Sequence, residues 1–77
     1  MPKAFILLNV ETGSEDEVLN QLKELTFVEE SFVAYGGYDL IIRVKAESMT
    51  ELKETVSHKI RTLDKVRSTL TLILMEE

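Results

Sequence analysis

The sequence predicts an α+β fold: a ferredoxin-like β-α-β-β-α-β chain, with a four-stranded antiparallel sheet and two helices on one face. Three observations carry this. Alternating apolar residues mark strands near both ends of the chain. Two S-x-x-E motifs, Ser14–Glu17 and Ser48–Glu51, each precede apolar residues at helical spacing. Between the helices, Gly36-Gly37 separates two runs of strand-forming residues.

The first strand spans residues 3–10. Ala4, Ile6, Leu8 and Val10 point to one face, and Phe5 and Leu7 to the other. Both faces are apolar, so this strand expects cover on both sides. Glu11-Thr12-Gly13 is a turn. Ser14 then opens a helix over 14–26, with three acids at the positive end of its dipole. Val18, Leu19, Leu22 and Leu25 form its apolar stripe.

A hairpin of 28–35 and 38–46 follows, closed by Gly36-Gly37 as a two-residue turn. In its second arm Leu40, Ile42 and Val44 alternate with Ile41, Arg43 and Lys45. Glu29 and Glu30, as adjacent strand residues, are expected on opposite faces. The second helix is expected over 48–61, with Met49, Leu52, Val56 and Ile60 on one stripe. The last strand runs from Val66 to Met75. Thr69, Thr71 and Ile73 share one face of it, and Leu70, Leu72 and Leu74 the other. With both helices on one side, the other sheet face is left bare and apolar. Sheet-to-sheet dimerisation is the expected cover.

The 77 residues allow one domain, 1–77, with no linker or repeat. Fourteen acids against nine bases give a net charge of −5, with the bases scattered singly. That argues against direct DNA binding. There is no cysteine, and no apolar run approaches the ~20 residues of a membrane span. A cytoplasmic protein is expected.

Few residues carry chemistry. The single histidine, His58, falls on the polar side of the second helix, four residues after Glu54. No metal-ligand spacing, nucleophile elbow or phosphate loop is present, so no cofactor is expected. Met1, Met49 and Met75 read as terminal or gap-filling residues. Asp39, beside the glycine turn, either meets a small ligand or satisfies nearby amides. Tyr35 and Tyr38 suit a ligand, a subunit contact or the core. Thr69 and Thr71 are either ordinary strand residues or two hydroxyls in line for a ligand.

Taken together, the hairpin Gly36-Gly37-Tyr38-Asp39-Leu40-Ile41-Ile42-Arg43-Val44 and the ending Leu63-Asp64-Lys65-Val66-Arg67-Ser68-Thr69-Leu70-Thr71-Leu72 resemble the effector-binding (RAM) domain of the Lrp/AsnC regulators. One departure is Asp64-Lys65, where that family usually has Pro-Gly. The chain starts at the first strand of that domain, so it resembles a stand-alone form without the helix-turn-helix half. The resemblance implies a non-enzymatic domain that forms sheet-packed dimers, often four to an octameric ring. It also implies effectors held between dimers, typically amino acids. Its ligand-binding positions fall on Gly36, Gly37, Tyr38, Asp39, Thr69, Thr71 and Leu72. In that reading Asp39 meets the α-ammonium, the glycine amides meet the carboxylate, and apolar neighbours set specificity. The missing DNA-binding half alone suggests that the chain joins or competes with full-length regulators of that family.

Two other readings share the topology. An ACT-like regulatory subunit would place its ligand near Gly13. A cofactor-free monooxygenase would need a His, Asn or Trp facing an enclosed pocket.

Overall fold

A computed structural model of the chain describes residues 2–74. The expected strand end at Met75, and the roles read for Met1 and Met75, lie outside these residues.

The element order is the expected one. β1 is Lys3–Val10, α1 Glu15–Lys23, β2 Val28–Val33, β3 Leu40–Lys45 and β4 Val66–Ile73. The second helix, α2, is π-helical over Glu51–Val56 and α-helical over Ser57–Arg61. The strands form one sheet in the order β2-β3-β1-β4, with all neighbours antiparallel. Among the described residues no helix is long and apolar enough to cross a membrane.

The period-two pattern sorts the sheet into two faces. On one, Val33, Leu40, Leu8 and Thr69 form a row across all the strands, and Ser31, Ile42, Ile6 and Thr71 form the next. Ala4, Ile6, Leu8, Leu40, Ile42 and Val44 on this face are fully buried. They pack with Val18 and Leu22 of α1 and with Leu52, Val56 and Ile60 of α2. On the other face the rows are Phe32-Ile41-Leu7-Leu70 and Glu30-Arg43-Phe5-Leu72. Phe32, Leu70 and Leu72 there are 48%, 42% and 46% exposed.

Several local expectations are corrected. The hairpin is not closed by a two-residue turn: β2 ends at Val33 and β3 begins at Leu40, so residues 34–39 form a wider loop. Ala34 N–H donates to the Asp39 carbonyl at 2.8 Å and closes its neck. Only Gly36 takes a positive φ, +134°, which a side chain rarely adopts. The strand-like Tyr35 stands 98% exposed beyond the sheet.

Glu29 and Glu30 do not diverge. The β2–β3 register shifts between Val28 and Glu30, leaving Glu29 as the extra residue of a β-bulge. Both carboxylates consequently reach Arg43: Glu30 pairs with its Nη2, and Glu29 lies 3.6 Å from its Nε.

The two helix starts differ. At Ser48 the cap forms, because Glu51 N–H donates to Ser48 Oγ at 3.1 Å. Glu51 in turn accepts from Glu47 N–H, one residue earlier than the usual box. Ser14 makes no side-chain cap. Its would-be partner Glu17 instead binds Lys65 Nζ at 3.1 Å. α1 ends at Lys23 rather than 26, and Leu25 packs on the core from the following turn. In α2 the Leu52 carbonyl receives both the N–H and, at 3.0 Å, the hydroxyl of Ser57. That i−5 pairing widens the turn. Met49 stays 40% exposed, off the buried stripe.

The turn before β4 runs Leu63-Asp64-Lys65-Val66, closed by Val66 N–H to the Leu63 carbonyl at 3.3 Å. Lys65 sits at φ +71°, the left-handed region that costs a side-chain-bearing residue about 1 kcal/mol or more. Its exposed ion pair with Glu17 is weak, because solvent screens both charges. Strain relief therefore outweighs the lost pair, and Lys65→Gly should raise the melting temperature. Glu17→Gln, which removes the pair and keeps the strain, should lower it slightly. Opposite signs in thermal melts would contradict this balance.

The hydrogen bond and charge of Glu17 raise the Lys65 pKa above its ordinary 10.5. Folding thus favours the ammonium. Its contribution is complete below the unfolded value and fades as pH rises through the higher folded one. The difference in urea midpoint between wild type and Glu17→Gln should be present at neutral pH and vanish in strong alkali.

Candidate functional site

The end of the sheet where β1 finishes carries an open cleft of about 440 Å³. Asn9 and Val10 supply its floor from β1, and Thr12 and Glu15 come from the turn into α1. Asp39 enters from the loop before β3, and Arg67 and Ser68 from the start of β4.

Local strand geometry explains why these residues meet. Asn9 pairs with Ser68, but Val10 pairs with Val66, so Arg67 has no partner opposite and forms a second bulge. A bulge bends the strand and re-aims the side chain it carries. At the same point the Val10 N–H donates to Asp39 Oδ2 at 3.0 Å. The Asp39 N–H donates in turn to the Leu8 carbonyl at 2.9 Å. Asp39 is therefore fixed to β1 through both its backbone and its carboxylate. Across the cleft, Asn9 Nδ2 donates to Ser68 Oγ at 3.3 Å.

Three charged groups line the cleft: Asp39, Glu15 and Arg67. Among the described residues none of the three forms an ion pair within 4 Å, since the bridges found are Arg43 with Glu29 and Glu30, and Lys65 with Glu17. The lining is mostly polar, with Val10 its one aliphatic residue.

The residues expected to bind ligand do not all converge here. Asp39 lines the cleft. Gly36 and Gly37 lie exposed in the loop leading to it, with Tyr38 half-buried. A Cβ built on either glycine would meet nothing within 4 Å, so both backbones stand open to approach. Thr69 lies in the same row as Leu40, across β1, and Thr71 one row further from the cleft. Both are half-buried on the helix-covered face. Leu72 opposes Phe5 on the bare face. Asn9, Thr12, Glu15, Arg67 and Ser68 were not singled out by sequence reasoning. A bulge has no period to detect, and Glu15 reads as one of several helix-start acids.

Other chemistry lies elsewhere. His58 is exposed, with Nδ1 3.5 Å from Arg61 Nη2 rather than beside Glu54. Among the described residues no group of three or more His, Cys, Asp or Glu could hold a metal. A second cleft, of about 290 Å³, is lined by Phe27, Lys45, Glu47 and Glu51. Its Glu51 carboxylate is already engaged by the Glu47 N–H.

Comparison with known proteins places this arrangement. The profile of the Lrp/AsnC ligand binding domain matches residues 3–77. An uncharacterised HTH-type transcriptional regulator of Pyrococcus furiosus is 34% identical over 71 residues, covering 92% of this chain and 48% of that protein. The regulatory protein AsnC of Escherichia coli is 34% identical over 58 residues, covering 75% of this chain and 38% of AsnC. The chain thus spans half or less of the length of these relatives. The crystal structure of FFRP-DM1 superposes with a TM-score of 0.92 at 36% identity, covering 97% of this chain and 100% of that one. FFRP-DM1 shares the fold described above, and the chain belongs to the Lrp/AsnC family, whose ligand-binding domain it carries.

Proposed function

We propose that this chain is a non-enzymatic sensor that binds a free amino acid at the Asp39 cleft and works as an assembly of sheet-packed dimers. The observation that carries the reading is Asp39 itself. Its carboxylate is held by the Val10 N–H while it lines an open cleft, so its charge is positioned before any ligand arrives. A preorganised carboxylate suits an α-ammonium. The exposed amides beside Gly36 and Gly37 suit the α-carboxylate or a neighbouring subunit. Thr69, Thr71 and Leu72 sit one strand away or on the other face, so their part in binding requires a second copy.

The bare sheet face supports the assembly. Its row Phe32-Ile41-Leu7-Leu70 is apolar from one edge to the other. A second copy laid on it would remove this surface from water at roughly 25 cal/mol per Å². Dimers joined into rings would bring further walls to each cleft. The same face would let the chain join full-length regulators of its family and change their response.

In a thermal-shift screen, an amino acid at about 100 times its Kd adds about 2.7 kcal/mol, on the order of 10 °C in so small a domain. Asp39→Asn keeps an acceptor oxygen for the Val10 N–H but loses the charge. It should fold and show no shift. A full shift in that variant would remove Asp39 from the site. Light scattering should find wild type as a dimer or an assembly of dimers. Leu72→Lys, which sets a charge in the bare face, should reduce its mass and abolish co-assembly with a full-length relative. A monomeric wild type would refute the interface.

A further inference from the structure

We propose that the cleft selects an amino acid carrying a second cationic group, a diamino acid of the lysine or ornithine kind. Arg67 takes its α-carboxylate and Glu15 its distal cation. This rests on the reading of the Asp39 cleft as an amino-acid site and adds the class of side chain.

Charge decides the class. The cleft holds one guanidinium and two carboxylates, and none of them is neutralised by an ion pair among the described residues. Arg67 is the bulged residue of β4, turned out of the ladder beside Ser68. Its planar fork matches a carboxylate in two parallel bonds. With the zwitterionic end of the ligand on Arg67 and Asp39, Glu15 keeps an unmatched negative charge on the α1 side of the cleft. A ligand with a distal ammonium neutralises it. A leucine-like side chain meets polar groups everywhere but at Val10. An acidic side chain brings a third carboxylate among two others. Thr12, beside Glu15, offers a hydroxyl that suits the same ammonium.

Glu15 also sits in the first turn of α1, where any acid is favourable to the helix dipole. The test therefore reads relative affinity rather than stability. Titration calorimetry on the whole chain would use lysine, ornithine, glutamine, leucine and glutamate. Lysine or ornithine should bind about tenfold or more tighter than glutamine, the ratio expected for one charge-assisted hydrogen bond. Glu15→Gln should erase that preference by lowering lysine and ornithine affinity toward that of glutamine. Arg67→Gln should weaken every ligand. A preference for leucine or glutamate, or a lysine affinity untouched by Glu15→Gln, overturns the inference while leaving an amino-acid site in place. Binding of none of the five overturns both it and the amino-acid reading beneath it.

Discussion

At the end of β1 a carboxylate oxygen stands where a strand partner's carbonyl would be. The Val10 N–H meets Asp39 Oδ2 just past the last β1–β3 pair, Leu8 with Leu40, so the end of that ladder leaves no orphaned donor there. An unpaired buried N–H costs about 1–3 kcal/mol, and a hydrogen bond to a charged acceptor is among the stronger ones available. Much follows from this bond. It anchors the loop after β2, which the Ala34–Asp39 bond closes only at its neck. It also fixes a negative charge at the mouth of a polar cleft. Structure and chemistry thus fall on one residue, and a substitution that ignores either role would confuse the two.

The two faces of the sheet are finished to different degrees. The helix-covered face is complete within one chain, with its central side chains removed from water. The bare face combines an apolar row with the Arg43 cluster, in which one guanidinium faces two carboxylates. Arg43 Nε is buried yet lacks a hydrogen-bond partner. In water such a cluster contributes little. Between two packed sheets it would be costly unless fully satisfied, and it would penalise wrong registers more than the right one. In such a dimer the apolar row would supply the attraction, and the cluster the discrimination.

Period two was the most legible signal in the sequence. It placed Ala4, Ile6, Leu8, Leu40, Ile42 and Val44 correctly, since each position repeats the same choice of face. What it could not show was interruption. Glu29 and Arg67 each add one residue to a strand, and neither leaves a mark in composition. Local motifs succeeded or failed with competition from distant residues. Ser48 and Glu51 cap their helix end, while Glu17 is drawn to a lysine from the far side of the fold. Tyr35 has strand propensity, but nothing pairs it, and the loop carries it into solvent. Thr69 and Leu72 are three residues apart, so alternation already places them on opposite faces. The family resemblance grouped them as a site, but within one chain they do not share a surface.

The turn at Asp64-Lys65 links these threads. Its carbonyl, from Lys65, accepts the Glu11 N–H at 2.9 Å, and its ammonium reaches Glu17 on α1. Those two contacts tie the β1–α1 turn to the start of β4. The same two segments carry Thr12 and Glu15 on one wall of the cleft and Arg67 and Ser68 on the other. A Pro-Gly turn would adopt the left-handed position without strain but could not reach Glu17. Here the chain holds a strained lysine whose charge bridges the walls. The Lys65 turn, itself outside the cleft, thus joins the two segments that carry Glu15 and Arg67.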